Sequence, residues 1–177
     1  MSNPRTERGN ALRHLVLDRE EWLMDRVLHY AKQRDYTKYT STLKEAWRLS
    51  IQGLSNSLIR SLDKYSDIPE LNPDEDVSSD PCTEFGRIEA QKHRARGVTL
   101  EMFLGLMKYF RQSYDDLVQE AGFSDDDTNW CHQYLGRFFD RVDIAFSAEW
   151  ARTSDDHRLN ELQASNRHLA NEKNKYL

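Results

Sequence analysis

Six histidines and two cysteines are the side chains of this 177-residue chain most capable of nucleophilic or metal chemistry. The histidines, His14, His29, His93, His132, His157 and His168, share no common helical face. Cys82 and Cys131 lie far apart, with no CxxC pair and no His-rich companion set, and read as reduced, partly buried thiols. Cys131 and His132 are adjacent, so on a helix they point about 100° apart and make a poor pair of metal ligands. A Gly-rich phosphate loop, GxSxG and HExxH are all missing from the sequence. These residues give no catalytic constellation, and we expect no enzyme, no metal and no cofactor.

Three features stand out from the apolar patterning. Glu149 falls at the centre of the apolar stripe of the last predicted helix. An antiparallel pairing with the preceding helix would bring it level with Leu100, close to His93, Arg94 and Arg96. Such an acid is either a signal-sensitive lock or a helix-end salt bridge of little consequence. The basic run Lys92 to Arg96 is also what the negative end of a helix dipole favours. Arg111 lies between Leu104 and Val118 on an apolar face, where it either reaches solvent or meets a buried acid. The third feature is a row of small residues, Ala46, Ser50, Gly53, Ser57 and Ser61, which serves close helix packing or leaves room for a ligand. Candidate ligand-binding residues are therefore Ser50, Gly53, Ser57, Tyr109, Arg111 and Tyr114.

The elements that position these residues are all helical. Met1 to Gly9 reads as an arm. From Asn10, apolar residues from Leu12 to Ala31 recur at helical spacing, and Asp18 with Glu21 forms a capping-box pattern that would restart the helix. Thr40 or Ser41 caps a second helix to about Tyr65, with the stripe Leu43, Trp47, Ile51, Leu54, Leu58, Leu62 and Tyr65. Pro69, Pro73 and several acids make Ser66 to Ser79 a loop, which lacks the glycine a calcium loop requires. Asp80-Pro81 starts a third helix, stopped by Gly97. Thr99 caps a fourth, central helix that ends at Gly122. Trp47, Phe103, Met107, Phe110, Phe139 and Phe146 are the expected core.

The last stretch, from about Thr128 to Leu177, contains no proline and no glycine after Gly136. Its first half places Cys131, Leu135, Phe138, Phe139, Val142, Ala145, Phe146 and Trp150 on one side. Its second half keeps only Leu159, Leu162, Leu169 and Tyr176, with Asn166 and Lys173 in the alternate seam positions of a heptad frame. A helix of about 50 residues would run about 75 Å, around twice the reach of a compact domain of this size. Such a seam suits a parallel two-stranded coiled coil, with Asn166 fixing register; the alternative is a frayed, solvated helix. We expect an all-α bundle of four long helices plus one short one at 1–151, and a coiled-coil linker at 152–177 that forms a homodimer through Leu159, Leu162, Asn166 and Leu169. The uncapped end points to the amino-terminal piece of a longer protein.

A net charge of −5 and the lack of a basic stripe argue against nucleic acid as the main partner. No apolar run approaches a bilayer span and the first twenty residues are not a signal peptide, so the expectation is a cytoplasmic chain without membrane insertion. A histidine kinase needs a phospho-accepting His followed by an acid, whereas His157 precedes Arg158, and no ATP-binding domain fits this length.

The segment from Arg94-Ala95-Arg96-Gly97-Val98-Thr99 through Met107-Lys108-Tyr109-Phe110-Arg111 to Leu117 resembles the amino-terminal helical sensor domains of bacterial sensor histidine kinases, in which such a bundle precedes a PAS domain. The closing Asn171 to Leu177 is similar to a helical linker entering a PAS domain. The resemblance implies a dimerising input domain that passes a signal along its last helix to downstream PAS and kinase domains; Glu149, Arg94 and Arg96, which the antiparallel pairing brings together, are the candidate signal-coupling residues. Similar input domains occur in stressosome sensors, globin relatives that carry no haem. In haem-binding globin-coupled sensors a His lies on the helix before the last two long ones, where His93 stands; Lys92, Arg94 and Arg96 depart from the apolar wall haem would need. A ligand-free dimerisation scaffold is the remaining alternative, favoured by a core without a void.

Overall fold

The computed structural model describes residues 4–38, 40 and 44–173, of which 4–6, 153, 154, 157 and 168–173 are described as backbone only. The architecture is all-α, with no strand among the described residues. Six α-helices follow in order: α1 Pro4–Asp18, α2 Glu20–Gln33, α3 Lys44–Lys64, α4 Glu84–Ala95, α5 Leu100–Glu120 and α6 Asp125–Lys173. Short 3-10 turns lie at Tyr36–Lys38, Val77–Ser79 and Pro81–Thr83.

Two expectations at the start of the chain are corrected. The segment read as an arm is helical from Pro4. It is tied down by Arg8 Nε, which donates to Asp127 Oδ1 at 2.7 Å, and by the approach of Gly9 to Leu62. The restart expected near Asp18 is present, since the stretch is two helices, but the N-cap is Arg19, which makes no side-chain cap, in place of an Asp18 capping box. The helix read as starting at Thr40 or Ser41 is described from Lys44, and the amides that either residue would cap lie outside the described residues. Ser41, Leu43 and Tyr176 lie outside the described residues.

The other boundaries follow their local chemistry. Asp80 accepts from the Cys82 amide, and Thr99 from the Met102 amide at 3.3 Å. Gly97 and Gly122 adopt φ of +80° and +71°, the left-handed conformation that ends a helix at little steric cost. Ser124 and Asp127 cap α6 reciprocally, the Asp127 amide donating to Ser124 Oγ and that hydroxyl to Asp127 Oδ2.

Contacts along the helices give their directions. Phe103 stacks on Phe146 and Tyr114 meets Phe139, so α5 and α6 run antiparallel. Gly86 lies against Val142 and Gln91 against Glu149, so α4 and α6 run parallel. Trp47 meets Phe110 while Ser55 meets Tyr114, which sets α3 parallel to α5. The first half of α6 thus forms the floor of the bundle. Phe138, Phe139, Val142 and Phe146 are each 1 % exposed, and all six expected core residues are buried. After Trp150 every described side chain is exposed. No helix among the described residues is long and apolar enough to cross a membrane.

Candidate functional site

A cavity of about 660 Å³ opens between α3, α4, α5 and α6. That size falls within the range that holds small ligands. Its walls are largely apolar and aromatic, with Trp47 and Leu54 from α3, Phe85 from α4, Phe103, Leu106, Met107 and Phe110 from α5, and Val142 and Phe146 from α6. Stacking of Phe103 on Phe146 at 3.8 Å and of Trp47 near Phe110 at 6.2 Å fixes two faces of the chamber. The polar lining consists of Thr40, Ser50, Glu89, Lys92, His93, Arg96 and Asp143.

These polar groups differ in how well they are satisfied. Lys92 pairs with Glu89 at 2.8 Å, and His93 Nδ1 lies 2.8 Å from the Glu89 carbonyl, one helical turn earlier. The His93 ring meets Phe103 edge-on, with centroids 4.7 Å apart. Asp143 Oδ2 is held by Lys108, which approaches from the exposed side. Asp143 Oδ1 is buried and has no partner among the described residues. Burial pushes the Asp143 carboxyl up from its ordinary value, with Lys108 opposing.

The small-residue row of α3 serves both readings offered for it. Ala46 and Ser50 line the cavity, although Ser50 Oγ also donates to the Ala46 carbonyl at 3.1 Å. At Gly53 the Phe85 ring fills the space, since a Cβ there would lie 2.0 Å from it. Ser57 is buried, and Ser61 bonds Tyr134. The other candidates lie elsewhere. Tyr114 is packed inside with its hydroxyl 2.8 Å from Ser55, and Tyr109 stacks on Tyr30 at 5.7 Å. Arg111 pairs with Asp140 at 3.2 Å along a shallow charged groove shared with His132 and Arg137. The structure therefore brings only Ser50 of that set to the cavity.

Glu149 is 5 % exposed, as its place in the stripe predicts. Its oxygens accept from Gln91 at 2.7 Å and from Arg152 at 2.6 Å. Burial opposes its ionisation, but Arg152 and Gln91 outweigh that and hold its carboxyl below the ordinary range. Arg94 lies at the same α4–α6 junction and donates to the Trp150 carbonyl at 2.5 Å. Arg96 is exposed, on the cavity lining. Leu159 and Leu162 are 54 % and 56 % exposed and Asn166 is exposed, while Leu169 is described as backbone only.

Sequence reasoning missed a buried charge cluster under the 66–80 loop. Arg141, 1 % exposed, donates to Asp80 at 2.9 Å, Tyr65 at 2.8 Å, the Glu70 carbonyl at 3.0 Å and Glu75 at 3.0 Å. Burial works against ionising Asp80, yet the Cys82 amide, Arg141, Tyr65 and Lys64 prevail and hold its carboxyl far below the ordinary value. The signal was available: Arg141 lies on the wheel between Tyr134, Phe138 and Ala145, an apolar setting like the one that drew attention to Arg111. This cluster pins the loop to α6 and presents no open face for a ligand.

Both cysteines are free and buried, and burial pushes each thiol up to about 12. Such thiols are poor nucleophiles at neutral pH. No group of three or more His, Cys, Asp or Glu that could hold a metal lies among the described residues. Comparison with protein-family models, with curated proteins and with solved structures finds no match to this chain.

Proposed function

We propose that the chain is the sensory and dimerisation domain of a bacterial signal-transduction protein, which passes a signal through α6 to a downstream PAS and kinase module in the cytoplasm. The observation that carries this reading is the division of one unbroken 49-residue helix. Its first half is the floor of the core, and its described second half exposes Leu159 and Leu162 with nothing from its own bundle covering them. A narrow apolar seam on a projecting helix loses its water contact by pairing with a second copy. The cavity supports sensing over bare scaffolding, because Val142, Asp143 and Phe146 of α6 are part of its wall. An occupant would touch the output helix less than one turn before Glu149. Changed packing there would shift the population of rotated or tilted arrangements of the paired helices.

Light scattering on the purified chain should give a dimer, and Leu159→Glu with Leu162→Glu a monomer with an intact bundle. A wild-type chain that stays monomeric at hundreds of micromolar ends the relay reading. Glu149→Gln should alter dimer geometry or parent-protein output if the acid is a lock; no change reduces it to a helix-end ion pair.

A second reading, a haem sensor with His93 as iron ligand, draws on the placement of His93 in the cavity wall. Glu89, Lys92, Arg96 and Asp143 in the same lining fit a porphyrin poorly. It requires a Soret band from haem-supplemented protein.

A further inference from the structure

The cavity has a floor that can receive nothing and a rim that can. Asp143 Oδ1 and Thr40 Oγ1 are fully buried, and Phe103 and Phe146 stack on each other at 3.8 Å, so neither polar atom can be reached and no ring fits between the two. The open side lies between α3 and α4. Phe85 closes the gap between these helices at Gly53, and beyond it Ala46, Leu49 and Ser50 of α3 share the lining with the last two turns of α4. Leu49 is 58 % exposed, an aliphatic side chain at the mouth of an apolar chamber that has Leu106 and Met107 deeper in its wall.

The charge of the rim is one-sided. Glu89 is answered by Lys92 at 2.8 Å and lies 3.5 Å from His93 Nδ1, and Asp143, the other acid of the lining, is taken by Lys108. An ammonium carries three donors, so Lys92, its side chain 54 % exposed, keeps two after pairing with Glu89. Arg96 is exposed and pairs with no described side chain. Neither cation is needed to close α4. The His93 carbonyl accepts from the Arg96 and Val98 amides, and the Arg94 carbonyl from the Gly97 amide. Uncommitted cationic donors above an apolar chamber suit a ligand that is anionic at one end and apolar along the rest. Because the aromatic walls already stack on one another, a flexible chain follows the remaining space better than a flat ring does.

We propose that this cavity binds an aliphatic carboxylate, its head on Arg96 and Lys92 at the rim and its chain inside, past Leu49 toward Met107. The inference rests on the sensory reading and deepens it by naming the class of signal. Its test is binding to the chain itself, without reference to helix association.

Three eight-carbon probes that differ in the head group, octanoate, 1-octanol and octylammonium, are titrated calorimetrically into the full chain below their micelle-forming concentrations. Octanoate should bind most tightly and octylammonium most weakly. Arg96→Gln changes an exposed side chain and should weaken octanoate by about three- to fivefold, the upper range for an exposed ion pair, while leaving 1-octanol within about twofold. Decanoate should bind about tenfold more tightly than octanoate, since each buried methylene contributes roughly fourfold. Ser50→Leu narrows the chamber from the α3 wall and should weaken octanoate and 1-octanol alike, with a thermal melt to confirm that the variant is folded. Preference for octylammonium would overturn the proposal, with Glu89 setting the sign of the rim. Equal binding of all three probes, unchanged by Arg96→Gln, would mean an apolar cavity without a head-group site. No binding, or binding that Ser50→Leu leaves untouched, would mean that the chamber is not the receptor. Each of these results removes the carboxylate site while leaving a dimeric relay intact.

Discussion

Arg141 and Asp143 stand two residues apart on α6, and the bundle treats them in opposite ways. Arg141 is surrounded: two carboxylates, a phenol and a carbonyl take its terminal nitrogens, and only its Nε lacks a partner. Asp143 is answered on one side only. A buried polar cluster whose members satisfy one another fixes a single arrangement. A half-satisfied one has a lower-energy state still open to it, which something else can provide. The first holds the 66–80 loop against α6; the second leaves one buried carboxylate oxygen without a partner among the described residues.

The largest effect should come from breaking the satisfied cluster. Arg141→Ala leaves Asp80 buried without its main cationic partner, and removing one side of such a pair costs about 3–5 kcal/mol. Urea denaturation should show that loss, with the 66–80 loop becoming susceptible to protease. The pH dependence follows from Asp80. Its folded carboxyl lies far below the ordinary value, so its contribution is fully present above about pH 4, the unfolded Asp value, and is lost only as pH falls toward the folded one. Wild type should therefore lose stability on acidification, and the Arg141→Ala variant should lose less of it, because the Cys82 amide, Tyr65 and Lys64 still favour the Asp80 carboxylate.

Gly53 offers an intermediate perturbation that links architecture to cavity. An alanine Cβ would lie 2.0 Å from the Phe85 ring, and Phe85 is also a cavity wall. Gly53→Ala should cost about 1–3 kcal/mol, typical of overpacking, and turn the ring toward the chamber. A crystal structure of the variant with an unmoved ring would contradict this.

Asp143→Asn tests the other half of the contrast, with the opposite sign. Burial raises the folded carboxyl above its unfolded value, so the fold prefers the protonated form. That preference stabilises the protein below the unfolded value and is lost as pH rises through the folded one. Removing the charge should therefore leave stability at neutral pH unchanged or raise it by up to about 1 kcal/mol, despite the lost Lys108 pair. A clear destabilisation would mean that Lys108 matters more to Asp143 than burial does.

The sequence was most legible where periodicity and caps agree. The α5 boundaries follow from Thr99 and Gly122, and the α6 core half from a stripe of large apolar residues. The antiparallel register that puts Glu149 level with Leu100 follows from the short turn between those helices. The break at Arg19 was foreshadowed only as a possible restart, and no side chain marks it. The helical segment before Asn10 carries an ion pair from Arg8 to Asp127, over a hundred residues away, a contact that local pattern cannot reveal. The cavity was half-seen through the small residues of α3. Its other walls depend on how far Phe85 of α4 enters at Gly53, a matter of helix separation that a wheel does not contain.

The two halves of α6 repeat the contrast on a larger scale, and here the expected change in bundle stability is smallest. Leu159 and Leu162 touch no core, so charging them should shift the bundle's unfolding by no more than about 0.5 kcal/mol. Asn166 sharpens the point. In a lone solvated helix, Asn166→Leu would alter local helix propensity by a few tenths of a kcal/mol and nothing else. In a parallel two-stranded seam it would remove the one polar contact that fixes register, strengthen association and admit higher oligomers. Sedimentation of this variant should thus reveal trimers or tetramers beside dimers, while its thermal unfolding stays at the wild-type temperature. A single monomeric species in both proteins would leave the exposed half of α6 without the partner on which the relay depends.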